Sequence, residues 1–261
     1  MFAKLTVKDF EVLRGPLESG RQRPSALAGV LVLGVFFQAL LFALEYFMAG
    51  DSTVYPYKDE ILKVHFWVTA GIMVLSLIYA IPAVYKRSGK IQYLVTILVA
   101  QNLFSVSLFI SALFLIALEG EGLSFRPESL LNFTYILLLI GLLIFIATSV
   151  RFYILLRNGH YRKGSKKDAL RGRFETKSHI PAAVLAGMGL VFVIQYIART
   201  SVNTDINGMI VIVIGILLFF VMLFILPEQL VILYCKFRFK SFNFDKRGYL
   251  ESEESAIGRK L

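Results

Sequence analysis

Six long apolar runs, separated by short charged or turn-rich breaks, organise this chain. They cover 26–49, 61–84, 91–118, 130–156, 180–198 and 208–235. Crossing a bilayer as a helix takes about 20 apolar residues at a rise of about 1.5 Å each, and all six runs reach that length. None of them alternates apolar with polar in segments of about ten residues, as the strands of a membrane barrel do. They are apolar on every side, and a helix satisfies its own backbone hydrogen bonds in lipid. The breaks carry turn and charge residues such as Gly50-Asp51-Ser52, Lys86-Arg87-Ser88-Gly89-Lys90 and Glu119-Gly120-Glu121-Gly122. The pattern predicts an all-α, polytopic integral membrane protein with a six-transmembrane-helix bundle over 26–235. A cytoplasmic or interfacial segment, 1–25, precedes it, a basic loop, 157–178, separates the fourth span from the fifth, and a cytoplasmic tail, 236–261, follows.

Charge sets the expected orientation. The chain has 28 Lys and Arg against 18 Asp and Glu, a net charge of +10. Taking alternate sides of six spans, 24 of the 28 basic residues fall on the side of the two termini. The other four are Lys58, Lys63, Arg126 and Arg199. Basic residues flanking short loops stay in the cytoplasm, so the expected topology is N-in/C-in, in a bacterial inner (cytoplasmic) membrane. The expected partner of the basic face is a lipid bilayer with anionic headgroups, each Lys or Arg contributing about 1 kcal/mol near the surface. Nucleic acid is not an expected partner, because no polar domain presents a basic patch. In the tail, Lys236–Asp245 alternates aromatic with basic or polar residues, which predicts an extended segment at the interface, rings in and charges out. The N-terminal segment before Pro16 mixes Phe2, Leu5, Phe10 and Leu13 with charges and predicts a short interfacial helix.

Ionisable residues inside spans are functional candidates by default. Glu45 lies about one helical turn from the outer end of the first span, and His65 about one turn below the outer end of the second. Gln195 and Arg199 fall at the same depth in the fifth. Gly34, Gln38, Leu41 and Glu45 share one helix face, as do His65, Thr69, Ser76 and Tyr79. Gln101, Asn102 and Ser105 lie near the middle of the third span. If these faces converge they form a polar core open to the outside, with Glu45 paired to His65 or Arg199. The competing reading of the same residues is interhelical glue. On the inner side, Pro227 interrupts the last span. A kinked helix continuing beyond it would let Glu228 pair with Arg151.

Chemistry narrows the function classes. One cysteine, Cys235, excludes an intrachain disulfide, and His65 has no second intramembrane His at its depth. No metal site and no cofactor are expected. There is no G-x-S-x-G elbow, no H-E-x-x-H pair and no Walker loop. The leading expectation is a non-enzymatic protein acting through a membrane protein partner or as a homo-oligomer. A permease or secretion-system subunit fits, as does an immunity-type protein. The alternative is a self-sufficient small-solute or ion transporter or channel using the polar faces around Glu45, His65 and Gln101.

Overall fold

The computed structural model describes residues 5–50, 53–118, 127–166, 168–169, 204–245 and 247–251. Five helices in it are long and apolar enough to cross a membrane, and the chain is a multi-pass, all-helical membrane protein. Helix α1 spans Pro24–Leu44 and runs into a π-helical segment, Glu45–Gly50. Helix α2 is Lys58–Ala80. Helix α3 is Gly89–Ile116, with its central Asn102–Ser107 π-helical. Helix α4 is Pro127–Arg157 and α5 is Thr204–Arg238. No strand forms among the described residues; the only β contacts there are isolated bridges, Thr53 to Leu118 and Phe244 to Leu250. The run 180–198 lies outside the described residues, and so do Gln195 and Arg199.

The helix boundaries differ from the apolar runs for local reasons. The second run was expected to reach residue 84, yet α2 stops at Ala80. Pro82 disfavours helical backbone at the residue before it, and Ile81 is extended at φ −72°, ψ 126°. A single short helix, Pro82–Tyr85, follows. The fourth run begins earlier than expected, at Pro127, a residue pre-set for the first turn of a helix. Helix α5 continues through Pro227 to Arg238 as one element.

Among the described residues, helix α3 is the most central. In its apolar stretch 56% of residues are buried, against 17–22% in the other four helices. Helices α1 and α2 pack on each other and on one side of α3, α5 packs on the other side, and α4 lies along α5. Gly34, Gly141 and Gly215 all sit at close approaches between helices, the tightest at Gly34 and Gly215. A Cβ at Gly34 would come within 2.7 Å of Val99 Cγ1, and one at Gly215 within 2.7 Å of the Leu108 carbonyl oxygen.

The two ends of the bundle are built differently. At the near end, where α1 and α3 begin and α2, α4 and α5 end, Gln92 of α3 donates to the carbonyls of Pro24 (2.8 Å) and Tyr79 (3.1 Å), tying three helices together. The N-terminal segment forms a 3-10 helix, Val7–Arg14, and a short helix, Gly15–Glu18. Its Phe10, Leu13 and Leu17 are buried in one cluster with Tyr161, Cys235 and Phe242. The tail is not the extended interfacial strip its alternation predicted. It turns back after Phe239 through a 3-10 turn, Lys240–Phe242, and Phe242 is fully buried. Apolar rings on both terminal segments find each other before they find lipid. Asp9 locks this module: its carboxylate accepts from the Thr6 amide (2.8 Å) and hydroxyl (3.0 Å) and pairs with Arg162 at 2.7 Å. Burial alone would raise the Asp9 pKa. The Thr6 and Arg162 hydrogen bonds and the Arg162 charge outweigh burial and hold it below the ordinary value.

At the far end the connection after α1 folds over α3. The Thr53 hydroxyl donates to the Phe114 carbonyl (2.8 Å), the Val54 amide to the Ala117 carbonyl (2.9 Å), and Tyr55 pairs with Thr134 of α4 at 2.5 Å. The first two add donors to the last carbonyls of α3, where the helix runs out of its own i→i−4 donors; the third ties the connection to α4.

Candidate functional site

Between α1, α2 and α3, toward the far end, lies a buried polar network. Helical spacing sets two of its sides. On α1, Gly34, Gln38 and Glu45 fall on one stripe and all face inward; on α2, His65, Thr69 and Ser76 do the same. The third side depends on the π-helical stretch of α3. There, hydrogen bonds run between residues five apart, so Asn102 and Ser107 come onto one face. In a regular α-helix of 3.6 residues per turn they would diverge. Asn102, Ser105 and Ser107 are buried while Phe104 and Val106 between them face out.

Glu45 and His65 are the charged core of the network. His65 Nδ1 is 2.9 Å from Glu45 Oε1, and both side chains are essentially inaccessible to solvent. His65 Nε2 is 3.3 Å from Ser107 Oγ, and the Phe42 ring covers the imidazole at 5.6 Å. Next to this pair, Asn102 Nδ2 donates to Gln38 Oε1 (3.1 Å) and to Thr69 Oγ1 (3.0 Å). Gln38 Nε2 donates to the Gly34 carbonyl (3.1 Å). Among the described residues, two acceptors of the network have no donor: Glu45 Oε2 and Asn102 Oδ1. Gln92 Oε1, in the near-end tie between helices, is likewise without a donor among the described residues.

A lone buried charge is costly in a low-dielectric interior. The low-energy states of Glu45 and His65 are therefore the net-neutral ones, carboxylate with imidazolium or carboxyl with imidazole. In either state one proton lies between the two side chains, Ser107 adjoins His65 at 3.3 Å, and Glu45 Oε2 has no donor among the described residues. Among the described residues no group of three His, Cys, Asp or Glu stands together to hold a metal ion.

Not every predicted residue joins. Gln101 turns to the opposite side of α3, half-buried, with Nε2 3.3 Å from the Met222 carbonyl and 3.5 Å from Gln229 Oε1 of α5. It ties α3 to α5 and has no contact with Glu45 or His65, because the residue beside Asn102 on a helix points away from it. The core is also closed rather than open to the outside. Lys63, at similar depth, is exposed. The expected pair of Glu228 with Arg151 does not form: Arg151 is exposed on α4, while half-buried Glu228 lies within electrostatic reach of Tyr93 of α3. Ser107 escaped sequence reasoning, since an α-helical period places it off the face of Asn102; only the π-helical register brings it in. No protein-family model, no curated protein and no solved structure matches this chain.

Proposed function

We propose that this chain is a non-enzymatic transporter or channel for a small solute or ion, and that the Glu45–His65 pair takes up and releases a proton or a small cation as it works. The observation that carries this reading is the buried Glu45 carboxylate, bonded to His65 through one oxygen and open at the other. Intramembrane carboxylates and histidines that face the bundle interior are the groups from which proton and ion pathways are made. Two further features support it. Glu45 and Ser107 sit in π-helical segments, which concentrate at functional sites. Three helices meet at the network, so a small rotation of any one changes the bonds it makes to the other two.

The reading includes six spans with both termini in the cytoplasm, supported by the distribution of Lys and Arg. Helices α4 and α5 both run from the far end to the near end, since Leu130 and Phe219 share the far cluster and Leu156 and Cys235 the near one. One more crossing between them makes six.

Reconstitution into liposomes tests the proposal. With an internal pH- or cation-sensitive dye and an imposed gradient, the protein should pass ions faster than empty liposomes. Glu45→Gln, which keeps the shape and removes the charge, should abolish the flux. An unchanged flux with unchanged pH dependence in that variant would sink the mechanism.

A second reading, a component working through a membrane protein partner or a second copy of itself, is favoured by α4. That helix packs chiefly along α5 and leaves Tyr135, Leu139, Leu142 and Leu143 uncovered. Purification in mild detergent separates the two readings. A stoichiometric second chain favours the component, and a lone active chain favours the transporter.

A further inference from the structure

At the near end, away from Glu45, a cavity of about 570 Å³ opens between the start of α1, the turn joining α2 to α3, the end of α5 and the tail. Five cationic side chains line it, Lys86, Arg87, Lys90, Lys236 and Arg247, with one carboxylate, Asp245. That carboxylate is turned onto its own loop, where Oδ1 accepts the amides of Arg247 (2.9 Å) and Tyr249 (2.8 Å). Among the described residues no carboxylate pairs with any of the five cations.

Lys236 is the decisive member. It is only 3% exposed. Among the described residues its ammonium has one oxygen partner, the Phe242 carbonyl at 3.2 Å, and otherwise faces the rings of Tyr93 (5.0 Å) and Phe244 (5.6 Å). A buried ammonium without an anion is costly, and aromatic faces offset only part of that. No carboxylate among the described residues supplies the counter-charge, and the cavity gives one a natural position. The first turn of α3 also opens there. Ser88 does not cap it, because its hydroxyl donates back to the Val84 carbonyl (2.7 Å), and the Gly89 and Lys90 amides have no backbone acceptor among the described residues. Free amides at a helix start and surrounding cations together favour a phosphate.

We infer that this cavity binds a phosphate-bearing anion, its oxygens held by Lys86, Arg87 and Lys90 at the mouth, its charge balancing Lys236 within. The inference stands apart from the Glu45 reading. The same chemistry belongs to an anionic phospholipid headgroup and to a soluble organophosphate, and the size of the cavity admits either.

The test titrates the purified chain in nonionic detergent with short-chain phosphatidylglycerol, short-chain phosphatidylcholine and glycerol 3-phosphate, reading binding calorimetrically. Two cavity variants are compared, Lys86→Gln/Arg87→Gln on exposed positions and Lys236→Met in the interior. The control is Arg157→Gln/Lys163→Gln, which removes the same charge from exposed positions outside the cavity. Binding of phosphatidylglycerol over phosphatidylcholine assigns the lipid source, and binding of glycerol 3-phosphate the soluble one. In either case the cavity variants should bind about tenfold more weakly or worse, and the control within about twofold of the parent. Should Lys236→Met fail to fold, the exposed pair still decides. No binding by either phosphate probe overturns the inference, as does equal weakening by the control pair.

Discussion

Helix α3 meets its neighbours on two faces made from different chemistry. Toward α5 it is close-packed and mainly apolar: Phe109 stacks on Phe219 at 4.3 Å, and Gly215 lets the backbones approach. Toward α1 and α2 it offers Asn102 and Ser107 to Gln38, Thr69 and His65. In lipid, apolar burial gives little net drive, so tight packing and hydrogen bonds hold helices together. The α5 face uses mainly the first and the other face the second. The difference lies in completeness. The packed face has no gap at Gly215, while the polar face ends in two acceptors without donors.

Substitutions on the two faces should therefore separate stability from activity. The largest loss of stability is expected from Gly215→Leu. Its new side chain meets a backbone carbonyl that cannot move aside, and about 3 kcal/mol should be lost, read as the largest fall in thermal midpoint in detergent. Asn102→Leu strands Gln38 Oε1 and Thr69 Oγ1. Bonds of this kind between membrane helices average below about 1 kcal/mol, so a fall of about 1 kcal/mol is expected.

The near-end module gives an effect of about the same size that depends on pH. The Asp9 carboxyl has its pKa lowered in the folded state from an ordinary value of 3.8. The stability it contributes is full above that value and is lost as pH falls through the lower, folded one. Asp9→Asn should cost about 1 kcal/mol near neutral pH and flatten the acid limb of a melting-temperature profile. The smallest change in stability is expected from Glu45→Gln. It keeps a hydrogen bond to His65 and removes a buried charge, so the midpoint should move by less than the other three. The same variant should lose all flux. A large fall in stability with flux intact would reverse the comparison and make the polar face the structural one.

Much of this arrangement was legible in the sequence. Run length and all-round apolarity gave helices, and depth along two oppositely directed spans put Glu45 and His65 in one layer. Spacing of four and seven put Gln38 with Glu45 and Thr69 with His65. What stayed hidden depended on helix rotation and register. Neighbouring Gln101 and Asn102 read alike as mid-membrane amides, yet one serves α5 and the other the network. Ser107 joins through a π-helical register that no apolar period announces. Arg151 and Glu228 were matched by depth alone, which says nothing about the faces they occupy. The folded tail was hidden for another reason: its rings are buried by the N-terminal segment, a partner some 230 residues earlier in the chain.

The central claim is that Glu45 and His65 form an exchangeable proton site and not a fixed strut. Infrared difference spectroscopy across a pH titration of the protein in lipid tests it most directly. The account predicts a carboxyl stretching band that appears and disappears with pH, shifts in deuterated water, moves its midpoint in His65→Gln and is missing in Glu45→Gln. A spectrum in which no carboxyl band titrates, or in which the titrating bands survive Glu45→Gln unchanged, would contradict it.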